Sequence, residues 1–208
     1  MVGMTASQRM FQWFNYMFLT VLSLSMLLPF VHVASGSFSS SRALMQGRVS
    51  LLPVEFTLAN YEAVLQEPSI WRSFGVTVFI TVVGTFMNLL FTSLMAYGLS
   101  KDDLRWRRAI LLFILFTMIF QAPIIPTYLV VRAMGLLNTV WSLIVPGLIN
   151  AFNLIIMITF FKNIPEGLVD SAKIDGCGEY RTWLRIVLPL SLPVLSTIGL
   201  FYAVAHWN

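Results

Sequence analysis

Five long stretches of this chain contain no Asp, Glu, Lys or Arg: Met10 to Ser41, Ser73 to Ser100, Ala109 to Val131, Ala133 to Phe161 and Ile186 to Asn208. A helix rises 1.5 Å per residue, so about 20 apolar residues cross a hydrocarbon core of ~30 Å, and each stretch is long enough. The pattern predicts five membrane-spanning helices, near Phe14 to Ala34, Phe74 to Leu99, Ala109 to Ile125, Val140 to Phe161, and from Pro193 onward. The fold class is therefore all-α, a polytopic transmembrane helical bundle. The first stretch reads as a retained helix rather than a cleaved leader, because one charge, Arg9, precedes an apolar run that continues past Pro29.

The polar positions divide the spans. Ser35 to Ser50 reads as an exposed linker, and Thr57 in "FTLANYEAVLQ" caps a short surface helix with Glu62 turned to water. Span two carries Gly75, Gly84 and Gly98 among several Thr and Ser. Small and hydroxylated residues let helices approach closely, so this span belongs inside the bundle. Pro123 and Pro126 in "QAPIIP" end span three, and "TYLVVRAMGLLNT" predicts a further surface helix closed by Gly135. The expected organisation is an N-terminal part, residues 1–69, and a bundle, residues 70–208, with a polar helix at 165–176. From Pro193 to Asn208 a helix covers only about 22 Å, so the expectation is a C-terminally truncated chain whose last span is incomplete.

That polar helix lies in "IPEGLVDSAKIDGCGEYRTWLRIVLPLSLP". Pro165 suits a first helical position, Glu166 complements the positive helix end, and Gly176 is a natural stop. Leu168, Ala172 and Asp175 share one side, a weakly apolar face with a small residue at its centre. Beyond the glycine turn, Tyr180, Trp183, Leu184 and Val187 recur at i, i+3, i+4 and i+7 and predict an amphipathic helix along the membrane surface. The product is a lever attached to a transmembrane span.

Composition agrees with a membrane protein: 58% of residues are hydrophobic and 11% charged, against about a quarter charged in soluble domains. Nine Lys and Arg lie at the N-terminus and in the second and fourth gaps between spans, and four lie on the other side. The positive-inside rule then puts the N-terminus and the 165–176 helix in the cytoplasm. The net charge of +4 forms no basic stripe, so nucleic acid is not a partner. Cys177 is alone, with no metal or redox spacing, and no metal or cofactor site is expected. The spans lack the ionisable groups of an ion-coupled transporter, and His32 and His206 read as interface or helix-contact residues. There is no G-x-x-x-x-G-K-[ST] loop and no catalytic constellation. The chain is not expected to be an enzyme, and energy for driven work has to come from another subunit.

The pattern D170-S-A-x-I-D175-G176-x-G, followed by I186-x-L188-P189 and Pro193, resembles the "EAA" segment of bacterial ABC-importer permease subunits. The likeness extends through "TLANYEAVL", "LMAYGLSK", "FQAPIIPTYLVVRAMGLLNT" and "FKNIPEGLVDSAKIDG", and is strongest to the second-subunit branch of the maltose-type carbohydrate permeases. Asp170 replaces the family's Glu, and Ser171 its first Ala. The resemblance implies a type I importer permease with six spans, five of them present. It also implies a coupling helix seated in a cytoplasmic ATPase subunit. Asp170 and Ser171 would lie on the ATPase contact, Ala172 would permit close approach, Asp175 and Gly176 would form the turn, and Leu188 and Pro189 would tie the movement to span five. The implied partners are a second permease subunit, the ATPase subunits, an extracellular solute-binding protein, a carbohydrate substrate, often an oligosaccharide, and the lipid bilayer of the cytoplasmic membrane. Asn88, Asn150 and Asn153 are candidates for the substrate pathway, since uncharged amides near aromatic rings suit sugar hydroxyls. The competing readings are an ion-coupled secondary transporter, opposed by the absence of intramembrane charge, and a non-transporting scaffold, opposed by the coupling segment.

Overall fold

The computed structural model describes residues 6–120 and 122–208. Its described residues form helices and connecting turns without strands, in two compact units that meet at residues 72 and 73.

The first unit begins with α1, Ala6–Ser37, 32 residues of which only Ser35 and Gly36 are buried. Its apolar side chains, Trp13, Phe14 and Phe30 among them, are exposed along its length, as expected of a helix whose solvent is lipid. Residues 35–50, expected to be an exposed linker, instead form a small folded knot. Ser39 is fully buried, donates its hydroxyl to the Ser35 carbonyl at 2.6 Å and accepts from the Val54 amide at 3.0 Å. Ser40 caps the short α2, Ser41–Met45, by accepting from the Ala43 amide. Asn60, at the start of α3, Ala59–Gln66, donates to the carbonyls of Ser37 and Ser39. Hydroxyls that bond backbone groups compete with regular structure and favour such turns, which is why a Ser-rich stretch folds here. Thr57, expected to cap α3, stands one residue too early: Leu58 holds the cap position without a side-chain cap bond, and Thr57 Oγ1 accepts from the Ala59 amide at 3.2 Å in the turn before it. His32 Nδ1 lies 2.9 Å from the Ser50 carbonyl, so that nitrogen carries the proton.

The helix α4, Pro68–Ser100, leads into the second unit. There it is followed by α5, Arg107–Ile119, α6, Ile124–Ala133, and α7, Trp141–Ile144, which runs into a 3-10 turn at Val145–Gly147. Next come α8, Ala151–Lys162, α9, Glu166–Ile174, and α10, Glu179–Thr182. A π-helical segment, Trp183–Val187, precedes α11, Leu188–Leu190, and α12, Leu192–Trp207. α1 and α4 are each long and apolar enough to cross a membrane singly, and three bent helix pairs bring the number of spans up to five. Span four is not the single helix expected over 140–161: its halves meet at 52° around Leu148 to Asn150. Pro146 and Gly147 weaken the helix there, and Asn150 starts a new one by accepting from the Phe152 and Asn153 amides. Gly135, at φ +69°, closes α6 where the sequence placed a stop.

The core joins α4, α5, α8, the π segment and α12 through Ala96, Ile114, Leu154, Met157, Trp183, Val187 and Ile198. Of the three glycines of α4, Gly84 makes the close helix contact: a Cβ there would sit 2.6 Å from Nε2 of His206 on α12, whereas Gly75 and Gly98 face open space. The close approach thus needs one glycine.

Candidate functional site

Two polar sites lie in the second unit, one at the α9 end and one around the break in span four.

At the α9 end, Glu179 is the centre. Tyr97 Oη, near the end of α4, donates to Glu179 Oε2 at 2.6 Å, Lys101 pairs with the same oxygen, and Lys173 of α9 lies 3.5 Å from Oε1. The Lys101 ammonium also sits 4.5 Å from the centre of the Tyr97 ring. These donors, Lys101 foremost and Tyr97 next, hold the Glu179 carboxyl down at about 2. Beside them Asp102 pairs with Lys162 at 3.0 Å and with Arg107 at 3.1 Å, and Lys162 chiefly depresses its carboxyl. Arg107 Nε donates to the Leu99 carbonyl, closing the turn between α4 and α5. Tyr97, Lys101, Asp102, Lys162 and Lys173 line a cleft of about 530 Å³ that also takes in Glu166, Val169 and Asp170. One carboxylate therefore ties α9 and α10 to the end of α4.

Asp170, Ser171, Asp175 and Gly176 are exposed, and Gly176 has the left-handed φ of +78° that a turn without a Cβ allows. Ala172 is buried inside the chain, where it lines a crevice with Ile186 and Pro189. Leu188 is half-buried and Pro189 exposed. The helix expected over Tyr180 to Val187 starts as α10 but widens into the π segment, with Trp183 wholly enclosed.

Around the break in span four, Asn88, Asn150 and Asn153 converge on one recess of about 660 Å³, together with Phe152, Phe201, Tyr202 and His206. Asn88 is buried and donates Nδ2 to the Gly147 carbonyl at 3.0 Å, leaving Oδ1 facing His206 Nε2 at 3.5 Å. Tyr202 Oη accepts from the Asn150 backbone amide at 3.0 Å and bonds Thr92 Oγ1 at 2.8 Å, so one buried hydroxyl joins spans two, four and five. The three Asn stand out in the sequence as uncharged amides in apolar spans. Tyr202, Glu179 and their partners do not, because their contacts span 52 to 110 residues of sequence. A tyrosine in an apolar span is the available signal, since its hydroxyl has to find a partner there.

Comparison with known proteins gives this geometry its context. No family model matches the chain. It is 46% identical over 200 residues, 96% of its length, to the polygalacturonan/rhamnogalacturonan transport system permease protein YtcP of Bacillus subtilis, of which it spans 70%. The chain belongs to the permease subunits of carbohydrate ABC importers. Another relative of these permeases, at 29% identity over 86% of the chain and 66% of that protein, is the arabinooligosaccharides transport system permease protein AraQ of Halalkalibacterium halodurans. A solved bacterial ABC transporter involved in import of the acidic polysaccharide alginate superposes with a TM-score of 0.93 at 36% identity, over the whole chain and 74% of the matched one. Carbohydrate permeases of this kind are membrane proteins that work within a multi-subunit system and perform transport rather than catalysis. The broken span four and the Glu179 knot are features of this permease's own residues.

Proposed function

We propose that this permease subunit carries an oligosaccharide inward across the cytoplasmic membrane, driven by ATP hydrolysis on a separate subunit. Its N-terminus and α9 face the cytoplasm, consistent with the nine basic residues on that side. α9 is the coupling helix. Its exposed side offers Asp170, Ser171, Asp175 and the apolar Ile174, which is 86% exposed. A second permease subunit completes the pathway, and an extracellular solute-binding protein delivers the sugar.

The observation that carries this reading is the Glu179 knot. It grips α9 and α10 while the buried Trp183 and Val187 root the next segment in the core, so a pull on α9 is passed to α4 and α12 rather than absorbed by a loose loop. The recess around the break in span four serves as the sugar's path: amides for hydroxyls, and the faces of Phe152 and Phe201 for the ring. The test is Ile174→Glu in the assembled transporter. Co-purification of the ATPase subunit and uptake should fall at least tenfold at unchanged membrane level. Full co-purification with normal uptake would remove α9 from the coupling role.

A further inference from the structure

The turn between α4 and α5 sorts its charges. Asp102 and Asp103 line the cleft at the α9 end together with Lys101, Lys162 and Lys173, and Asp102 is paired with Lys162 and Arg107. Arg105, Trp106 and Arg108 do not border that cleft; all three are exposed, Trp106 to 71%. Neither Arg105 nor Arg108 has an ion-pair or side-chain hydrogen-bond partner among the described residues. The acids of the turn thus meet cations of this chain, while two free cations lie outside the cleft beside an indole.

Trp106 is held there against its own backbone preference. Its φ of +65° and ψ of 9° lie in the left-handed region, where a bulky residue is an outlier and which glycine adopts freely. Its neighbours fix the conformation. The Arg107 amide donates to the Leu104 carbonyl at 3.2 Å, Arg107 Nε to the Leu99 carbonyl at 2.7 Å, and the Ile110 amide to the Trp106 carbonyl at 3.0 Å. A strained residue over-determined by its surroundings motivates a functional role for its side chain.

The register of α5 indicates what this face meets. Arg108, Leu112, Leu115 and Ile119 recur at i, i+4, i+7 and i+11 and are all exposed, whereas Ile114, on another side of the helix, is buried. One guanidinium therefore heads an exposed apolar stripe of a candidate membrane span. A bilayer supplies the matching order, acyl chains along the stripe and phosphate at its end, whereas a free phosphate ion would use neither the stripe nor the indole. Guanidinium groups match phosphate oxygens bidentately, and tryptophan favours the headgroup level. We propose that Arg105, Trp106 and Arg108 form a binding site for an anionic phospholipid, with the guanidinium groups on its headgroup phosphate and the indole at headgroup depth.

The experiment is native mass spectrometry of the detergent-purified permease–ATPase complex, titrated with equal amounts of dioleoylphosphatidylglycerol and dioleoylphosphatidylcholine. Arg105→Gln/Arg108→Gln and Trp106→Gly are compared with the unaltered complex. Trp106→Gly places at φ +65° the residue best suited to it, so lost binding there is not lost fold. The unaltered complex should take up one phosphatidylglycerol per copy of this chain at a half-saturating concentration that rises at least tenfold in the double Arg variant and at least threefold in Trp106→Gly. Phosphatidylcholine retention should not change. An unaltered phosphatidylglycerol titration in either variant, or equal loss of the two lipids, would overturn the site. Loss of ATPase co-purification from the double Arg variant at unchanged membrane level would give the face to that subunit and overturn it as well. The measurement requires neither transport nor a particular side of the membrane, so its failure would leave the proposed function standing.

Discussion

Tyr202→Phe removes a single oxygen, yet that oxygen is the meeting point of three spans. In the native chain it accepts the Asn150 amide at 3.0 Å and bonds Thr92 at 2.8 Å, with Tyr202 only 3% exposed and Thr92 fully buried. Loss of both bonds does not cost twice the value of one. Thr92 lies within α4 and can turn its hydroxyl back to the carbonyl one turn earlier, so it recovers a partner. The Asn150 amide stands at the start of α8 and has no such alternative. An orphaned buried donor costs about 1–3 kcal/mol, while hydrogen bonds between membrane helices average ~0.6 and reach ~1.7 kcal/mol because the unfolded helices also find partners. The two ranges overlap at about 1–2 kcal/mol, close to a tenfold change in an unfolding constant. The assay is denaturant unfolding of the purified transporter, comparing Tyr202→Phe, Thr92→Val and the double variant. A destabilisation below about 0.3 kcal/mol in Tyr202→Phe, or strict additivity of the two single variants, would refute the account of Tyr202 as a shared anchor.

Glu179 gives a prediction in pH. Its carboxyl is held at about 2 against an ordinary value of 4.5, so the unfolded chain binds the proton first and the contribution is complete above about pH 4.5 and lost as pH falls toward 2. The side chain is 55% exposed, so solvent screening limits the contribution to roughly 1 kcal/mol, far below what the shift alone would give. Glu179→Gln should flatten the stability profile between pH 4.5 and 2, and should reduce uptake at neutral pH while ATPase co-purification is retained; an unchanged acid profile would remove the knot. Gly84→Leu should separate α4 from α12, since even a Cβ meets the His206 ring at 2.6 Å, and loss of folded protein by at least tenfold is expected, whereas Gly98→Ala, facing open space, should leave the yield unchanged. A well-folded Gly84→Leu protein would show that the contact is not needed.

The spans are legible because absence of charge over twenty residues has one dominant physical explanation. α9 and its stop are legible for a similar reason: Pro165, Glu166 and Gly176 act on the helix ends within a few residues of themselves. The break in span four is signalled by "VPGLIN", but the surrounding apolar continuity reads as one helix, and only the Asn150 cap makes the interruption stable. The folded turns of residues 35–50 are hidden because serine composition resembles a linker whether or not its hydroxyls find backbone partners.

The π segment at Trp183–Val187 has a consequence for how the α9 end and α12 evolve together. A π segment accommodates one residue more than an α-helical turn of the same register. Deleting one residue between Trp183 and Val187 would restore ordinary helical winding and rotate α9 and α10 by about 100° relative to α11 and α12. Ala172 and Glu179 would then face away from their present neighbours although no contact residue had changed. The extra residue therefore acts as a phase setting between input and span, and chains with and without it would not be interchangeable by exchanging α9 alone.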